Sequence, residues 1–153
     1  MYFFLKEDFE GLDKQIEQIC DKIKEIGQEM GKSCQEGAET FHDNFAFEDG
    51  ERQQYMWSSR LRELIKIRNN AKVVSPETSS EKVSIGKCAT FQDEETGKIQ
   101  TIRIGSFMIF HDQKNTISYN APLARLLVGA MINDAREGKV GGKRKAIIIL
   151  KIE

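Results

Sequence analysis

Six carboxylates lie between Glu36 and Glu51 with no Lys or Arg among them: Glu36, Glu39, Asp43, Glu48, Asp49 and Glu51. Mg²⁺ prefers hard oxygen ligands and is often held by only one or two protein carboxylates, with water or phosphate completing its shell. Acids at an exposed tip can therefore complete a metal site that belongs to another protein. The plainer alternative is a solvated helix face, the common meaning of a charge run. Arg52 follows the acids at once, and Arg60, Arg62, Lys66, Arg68 and Lys72 form a second run opposed only by Glu63. His42 stands next to Asp43, but a catalytic His–Asp pair needs a side-by-side geometry that adjacent residues rarely provide.

The elements on either side explain how such a tip is carried. Leu5, Phe9, Leu12, Ile16, Ile19, Ile23, Ile26 and Met30 follow one another at alternating spacings of four and three. That 3.5-residue period predicts one apolar stripe on a long helix with a helical partner and left-handed supercoiling. The helix should run from about Lys6 to about Gln35, a rod of roughly 45 Å at 1.5 Å per residue. A return helix should span about Phe47 to Lys72, with a seam of Phe47, Gly50, Gln54, Trp57, Leu61, Leu64, Arg68 and Ala71. Trp57, Leu61 and Leu64 are sound seam residues; Gly50 and Gln54 are not. Gly50 inside a helix costs about 1 kcal/mol relative to Ala. The expected hairpin is well packed at its base and looser toward the acids, with Phe41, Phe45 and Phe47 closing the turn.

Bulk properties limit the alternatives. The net charge is −1, which argues against a general nucleic-acid coat. Residues 1–74 carry 11 Lys/Arg against 15 Asp/Glu, and the rest carry 12 against 9, so the two parts differ in sign. Cys20, Cys34 and Cys88 are far apart and include no Cys-x-x-Cys, which fits a reducing cytoplasm better than a disulfide framework or zinc site. The apolar run Met1–Leu5 is too short for a signal peptide or membrane span.

Val74 to Lys82 is polar with one Pro and three Ser, and it predicts a linker. Beyond it the pattern becomes strand-like: Val83–Phe91, a turn at Asp93–Gly97, a strand over Ile99–Ile104, a short strand over Asn115–Tyr119 and a last strand over Lys145–Ile152. Between the last two, Asn120–Gly129 predicts a short helix with Asn120 as N-cap, Pro122 in the first turn and Gly129 at the end. Gly141-Gly142 predicts a tight turn. No phosphate loop, Rossmann fingerprint or nucleophile elbow is present. The expected fold class is α+β: an antiparallel coiled-coil hairpin over 1–74, a linker over 75–82 and a small antiparallel β domain with one short helix over 83–153.

These parts together resemble the bacterial transcript-cleavage factors GreA and GreB, over about residues 5–153. The strongest segment is Ile117-Ser118-Tyr119 followed by Asn120-Ala121-Pro122-Leu123-Ala124-Arg125-Leu126-Leu127-Val128-Gly129. The family typically shows Ile-Ser, then Asn/Asp-Ser-Pro-Leu/Ile-Gly/Ala-Arg, and Leu/Ile-Gly. The Gly141-Gly142 turn and the last strand match as well. The resemblance implies an FKBP-like C-terminal domain that docks on RNA polymerase at its secondary channel. Asn120, Ala121, Pro122 and Arg125 would then lie at the docking surface, although a helix start packed on its own sheet explains the same segment. The hairpin would enter the channel, where two tip acids of a Gly-Asp-Leu-x-Glu-Asn motif help hold a polymerase Mg²⁺ while the polymerase hydrolyses the 3′ end of a backtracked nascent RNA.

Anchored on Arg60-Leu61-Arg62-Glu63-Leu64, the segment Glu39-Thr40-Phe41-His42-Asp43-Asn44 falls on that motif. Asn44 matches, and Asp43 keeps a carboxylate one methylene shorter. Thr40 puts a neutral hydroxyl where the family has its first acid. Glu39 can help but would point about 100° away on a helix. Arg52 is one residue beyond the position of a family basic residue that faces RNA, where this chain has Glu51. The implied protein is a monomeric accessory factor of RNA polymerase, not an enzyme, with no stably bound cofactor and no membrane partner. A secondary-channel regulator that does not promote cleavage, or inhibits the polymerase, is the alternative. An FKBP-like prolyl isomerase or chaperone and a structural coiled-coil dimer are further readings.

Overall fold

The computed structural model describes residues 1–36, 45–78, 81–111 and 113–153. The elements are β1 (Tyr2–Phe4), α1 (Lys6–Glu36), α2 (Phe45–Asn69), β2 (Ala71–Val73), β3 (Cys88–Asp93), β4 (Ile99–Gly105), β5 (Thr116–Ser118), α3 (Pro122–Leu127), β6 (Ala135–Val140) and β7 (Lys143–Ile152). They form two compact units, Leu12–Asn70 and a sheet unit of Met1–Gly11 with Ala71–Glu153.

In the first unit the apolar stripe of α1 behaves as its period predicts. Leu12, Ile19 and Ile26 are buried, and Ile16, Ile23 and Met30 are half-buried. Contacts to α2 run backwards along the chain, as in an intramolecular antiparallel hairpin. Asp13 meets Arg68, Lys22 lies over the Trp57 ring at 5.3 Å, and Met30 faces Gly50. The Asp13 carboxylate holds the Arg68 guanidinium further above its ordinary range, by hydrogen bond and charge.

Gly50 is a close approach. A Cβ there would lie 2.4 Å from Met30 Cγ, so the missing side chain is what lets Met30 pack. Near the base, Leu64 and Ile67 are buried while Arg68 is exposed. The buried position after Leu64 is thus Ile67, and the expected seam residue Arg68 instead pairs outward with Asp13. Leu64 is completely buried. Leu64→Ala should lower stability by about 2–5 kcal/mol, read as a fall in the urea midpoint.

The return helix stops at Asn69, not Lys72. Asn70 Nδ2 donates to the Lys66 carbonyl at 2.8 Å and closes the last turn. Ala71–Val73 then become β2, paired in parallel with β1 in the register Tyr2↔Ala71, Phe3↔Lys72, Phe4↔Val73. For this reason residues 1–11 and 71–74, expected in the hairpin, belong to the sheet unit. The apolar N-terminus is a strand. Phe4 is fully buried, Phe3 N–H donates to the Tyr119 hydroxyl at 3.2 Å, and Phe107 N–H donates to the Phe3 carbonyl at 3.0 Å.

The main sheet has the order β5-β4-β3-β7-β6. It is antiparallel through β4, β3, β7 and β6, as expected, but β5 joins β4 in parallel. Ala89, Phe91, Ile104, Ile147 and Ile149 line its inner face, and Ala124, Leu127, Ala130 and Val83 complete the core.

The strand expected from Val83 begins only at Cys88. Val83 bonds to the chain after α3, with its N–H on the Ala130 carbonyl and its carbonyl accepting from Gly129. A turn then intervenes, with Lys87 N–H on the Ser84 carbonyl at 3.1 Å. Strand β6 (Ala135–Val140) escaped the sequence reading because most of it is polar and lies at a sheet edge. Charged residues are usual on such edges.

Asp93 organises the β3–β4 turn. Its Oδ1 accepts the N–H of Glu95 at 2.9 Å and of Thr96 at 3.3 Å, and Lys145 Nζ lies 3.8 Å from Oδ2. The Thr96 and Glu95 N–H groups, with a smaller contribution from Lys145, hold its carboxyl below the ordinary Asp range. A lowered folded-state pKa adds stability that is present above the unfolded value, about 3.9, and is lost as pH falls through the folded value. Asp93→Asn should therefore flatten the loss of stability below about pH 4, seen by comparing urea midpoints of the two proteins across that range.

Candidate functional site

The tip residues Glu39, Thr40, Phe41, His42, Asp43 and Asn44 lie outside the described residues. Their nearest described neighbours are the ends of two helices, Glu36 of α1 and Phe45 of α2. The described acids beyond them are exposed on α2. Asp49 is committed to its own helix: Oδ1 lies 3.1 Å from Arg52, and Oδ2 accepts from Gln53 at 2.8 Å. Arg52, the expected RNA-facing residue, therefore has a local carboxylate partner while its side chain is 76% exposed. Phe45 is 74% exposed and Phe47 is half-buried, while Phe41 lies outside the described residues. No group of three or more His, Cys, Asp or Glu suited to a metal occurs among the described residues.

The other expected site is assembled around α3. Pro122 takes the first helical positions, where its missing N–H is no loss. The N-cap is Ala121 at φ −64, ψ 148, with no side-chain cap. Asn120 does not cap the helix as expected. Its Oδ1 instead accepts from Arg125 Nη2 at 2.5 Å, and its N–H donates to Ser118 Oγ at 3.3 Å. Ala124 and Leu127, three residues apart, turn into the core, leaving Pro122 and Arg125 exposed. The fold thus brings Asn120, Pro122 and Arg125 onto one surface, with Ala121 half-buried between them.

That surface includes residues the sequence reading did not select. A depression of about 310 Å³ is lined by Pro122, Arg125, Leu126, Gly138 and Lys139. Strand β6 supplies Gly138, where a Cβ would lie 3.2 Å from Leu126 Cδ1. No local sequence signal joins β6 to α3, because their contact depends on the sheet.

A second missed feature is a buried carboxylate at the start of α1. Asp8 is 4% exposed. Its Oδ2 accepts from Ser106 Oγ at 2.5 Å, and its Oδ1 accepts from Phe110 N–H at 3.1 Å. Ser106 Oγ also accepts the Leu5 N–H at 2.8 Å. Nearby, Arg103 pairs with Glu7 at 3.2 Å. An acid in the first turn suits the helix dipole, and that is all the sequence signals at Asp8.

A helical hairpin unit together with a small mixed sheet closed by one short helix defines the fold class, α+β. Residues 77–153 match the family described as transcription elongation factor, GreA/GreB, C-term. The chain belongs to this GreA/GreB family. It is 28% identical over 145 residues to transcription elongation factor GreA of Mesomycoplasma hyopneumoniae (strain 7448), covering 94% of this chain and 89% of that one. It is 24% identical over 138 residues to GreA of Thermotoga neapolitana, covering 90% and 87%. The solved structure of GreA factor homolog 1 (Gfh1) of Thermus thermophilus is 18% identical, with coverage of 99% and 97% and a TM-score of 0.44.

Proposed function

We propose that this protein binds RNA polymerase at its secondary channel and stimulates cleavage of backtracked RNA by presenting a tip carboxylate to the polymerase Mg²⁺ site. Membership of the GreA/GreB family, carried by residues 77–153, is the observation that supports this reading most. The α3 surface with Asn120, Ala121, Pro122 and Arg125 docks on the polymerase. Asp43 is the principal metal-facing carboxylate and Glu39 its helper. Carboxylate oxygens are the hard ligands that Mg²⁺ takes. When bound, the ion orients water and offsets developing phosphoryl charge. The polymerase performs the hydrolysis, and the nascent RNA 3′ end is the substrate. The factor acts as a monomer in the cytoplasm, with Arg52 toward RNA.

Thr40 favours a second reading. A neutral hydroxyl where the family has its first acid suits a factor that occupies the channel and restrains the polymerase. The test is a stalled elongation complex of the cognate polymerase, scored for RNA cleavage and for nucleotide addition. The cleavage reading expects wild type to shorten the transcript, and Thr40→Asp to raise the rate by about tenfold, equivalent to about 1.4 kcal/mol. Asp at 40 would restore a second carboxylate three residues before Asp43 in the chain. Slowed nucleotide addition with no cleavage, unchanged by Thr40→Asp, would select the regulator.

A further inference from the structure

We infer that the concavity between Pro76 and Met131–Ile132 is a second polymerase contact, one that takes a segment bearing a Lys or Arg beside an aliphatic side chain. The inference rests on the reading that the chain docks on RNA polymerase.

One wall depends on a glycine. Gly86 has φ +93, and a Cβ there would lie 2.6 Å from Pro76 Cγ. Only glycine allows Pro76 to lie against it, so this part of the expected linker packs within the sheet unit. The opposite wall follows α3. The pairings Val83 N–H to Ala130 O at 2.9 Å and Gly129 N–H to Val83 O at 2.8 Å pin the chain there. Met131 N–H then donates to Asp134 Oδ2 at 2.9 Å. Met131 and Ile132 are left 39% and 51% exposed. With Ile152 among the lining residues, the concavity measures about 720 Å³.

The charge at this place is opposite to that of its surroundings. The chain from residue 75 onward carries an excess of three positive charges. Yet Glu77 and Glu81 line the opening, and both are exposed. Neither has an ion-pair partner among the described residues. Glu153 also lines it but pairs with Lys151, and Lys87 is buried in the wall. Exposed aliphatic side chains beside two carboxylates in excess of the lining cation match the two halves of a basic, aliphatic segment. Methionine adapts to such a partner, and an apolar centre with a polar rim is the usual anatomy of a protein interface. At the α3 surface the exposed charges lining the depression are the cations Arg125 and Lys139. Two contacts of opposite sign would set the orientation of docking.

The test is equilibrium binding of the full chain to the cognate RNA polymerase, comparing wild type, Ile132→Glu and the double variant Glu77→Lys/Glu81→Lys. Each variant should bind about tenfold more weakly. The double variant should also lose part of the wild-type salt dependence, since exposed charge pairs are screened. Thermal melts should match wild type because the substituted side chains are exposed. If Ile132→Glu melts early, the double variant alone decides the matter. Wild-type affinity in both variants, with wild type itself bound, would overturn the concavity and leave the docking reading intact. Failure of wild type to bind would overturn both. Self-association of wild type that Ile132→Glu abolishes would assign the surface to a second copy and overturn the inference.

Discussion

Asp43→Asn is expected to remove stimulation of RNA cleavage while polymerase binding stays within about twofold of wild type. Asn preserves the shape and one carbonyl oxygen, but it loses the negative charge that a hard cation prefers. Thr40 contributes no charge, and Glu39 stands one residue before the position of the first acid. Asp43 would therefore carry most of the charge that the tip offers to the metal. Binding should persist because the proposed docking residues Asn120, Pro122 and Arg125 lie in the sheet unit, not in the tip. Cleavage in a stalled complex, with binding measured in parallel, separates the two effects. Wild-type cleavage by Asp43→Asn would remove Asp43 from the site.

Asp8→Ala is expected to lower stability by about 2–4 kcal/mol, because it strands the buried Ser106 hydroxyl and the part-buried Phe110 N–H. Asp8→Asn should lower it by about half as much. Its carbonyl can still accept from Phe110, and its amide can donate to Ser106 Oγ, at the expense of the charge-assisted bond. Urea unfolding of both variants gives the comparison. Equal and negligible changes would mean that the carboxylate does not secure the start of α1. The buried neighbours make a large effect reasonable: Leu5 is 2% exposed, and Ser106 and Phe4 are fully buried.

Much of the architecture was legible because it is periodic or local. The 4-3 stripe from Leu12 to Met30 needs only helical geometry to define a buried face, and α1 ends within a residue of the expected point. The turn at Asp93–Gly97 is also local, with a carboxylate folding onto N–H groups two and three residues ahead. Glycine and Asn120 were harder to read. Gly50 looked like a weakness in the seam and is the space that Met30 occupies. Asn120 looked like a cap and is a partner for Arg125. In each case the residue type fits two uses, and a neighbour distant in sequence or one helical turn on decides between them.

The sequence by itself determined the helical hairpin, the β-rich C-terminal half, the acids and Thr40 of the tip segment, and the Asn120–Gly129 segment that carries the family likeness. Those features reside in spacing and residue chemistry along a continuous stretch of chain. Tertiary structure decided what depends on residues meeting across long separations. It paired Tyr2–Phe4 with Ala71–Val73, buried Asp8 against Ser106, laid Gly138 beside Leu126 and packed Pro76 on Gly86. The physical reason is that strand pairing and close packing satisfy backbone groups and exclude water only after distant segments meet. A side chain's local preferences carry no record of that partner.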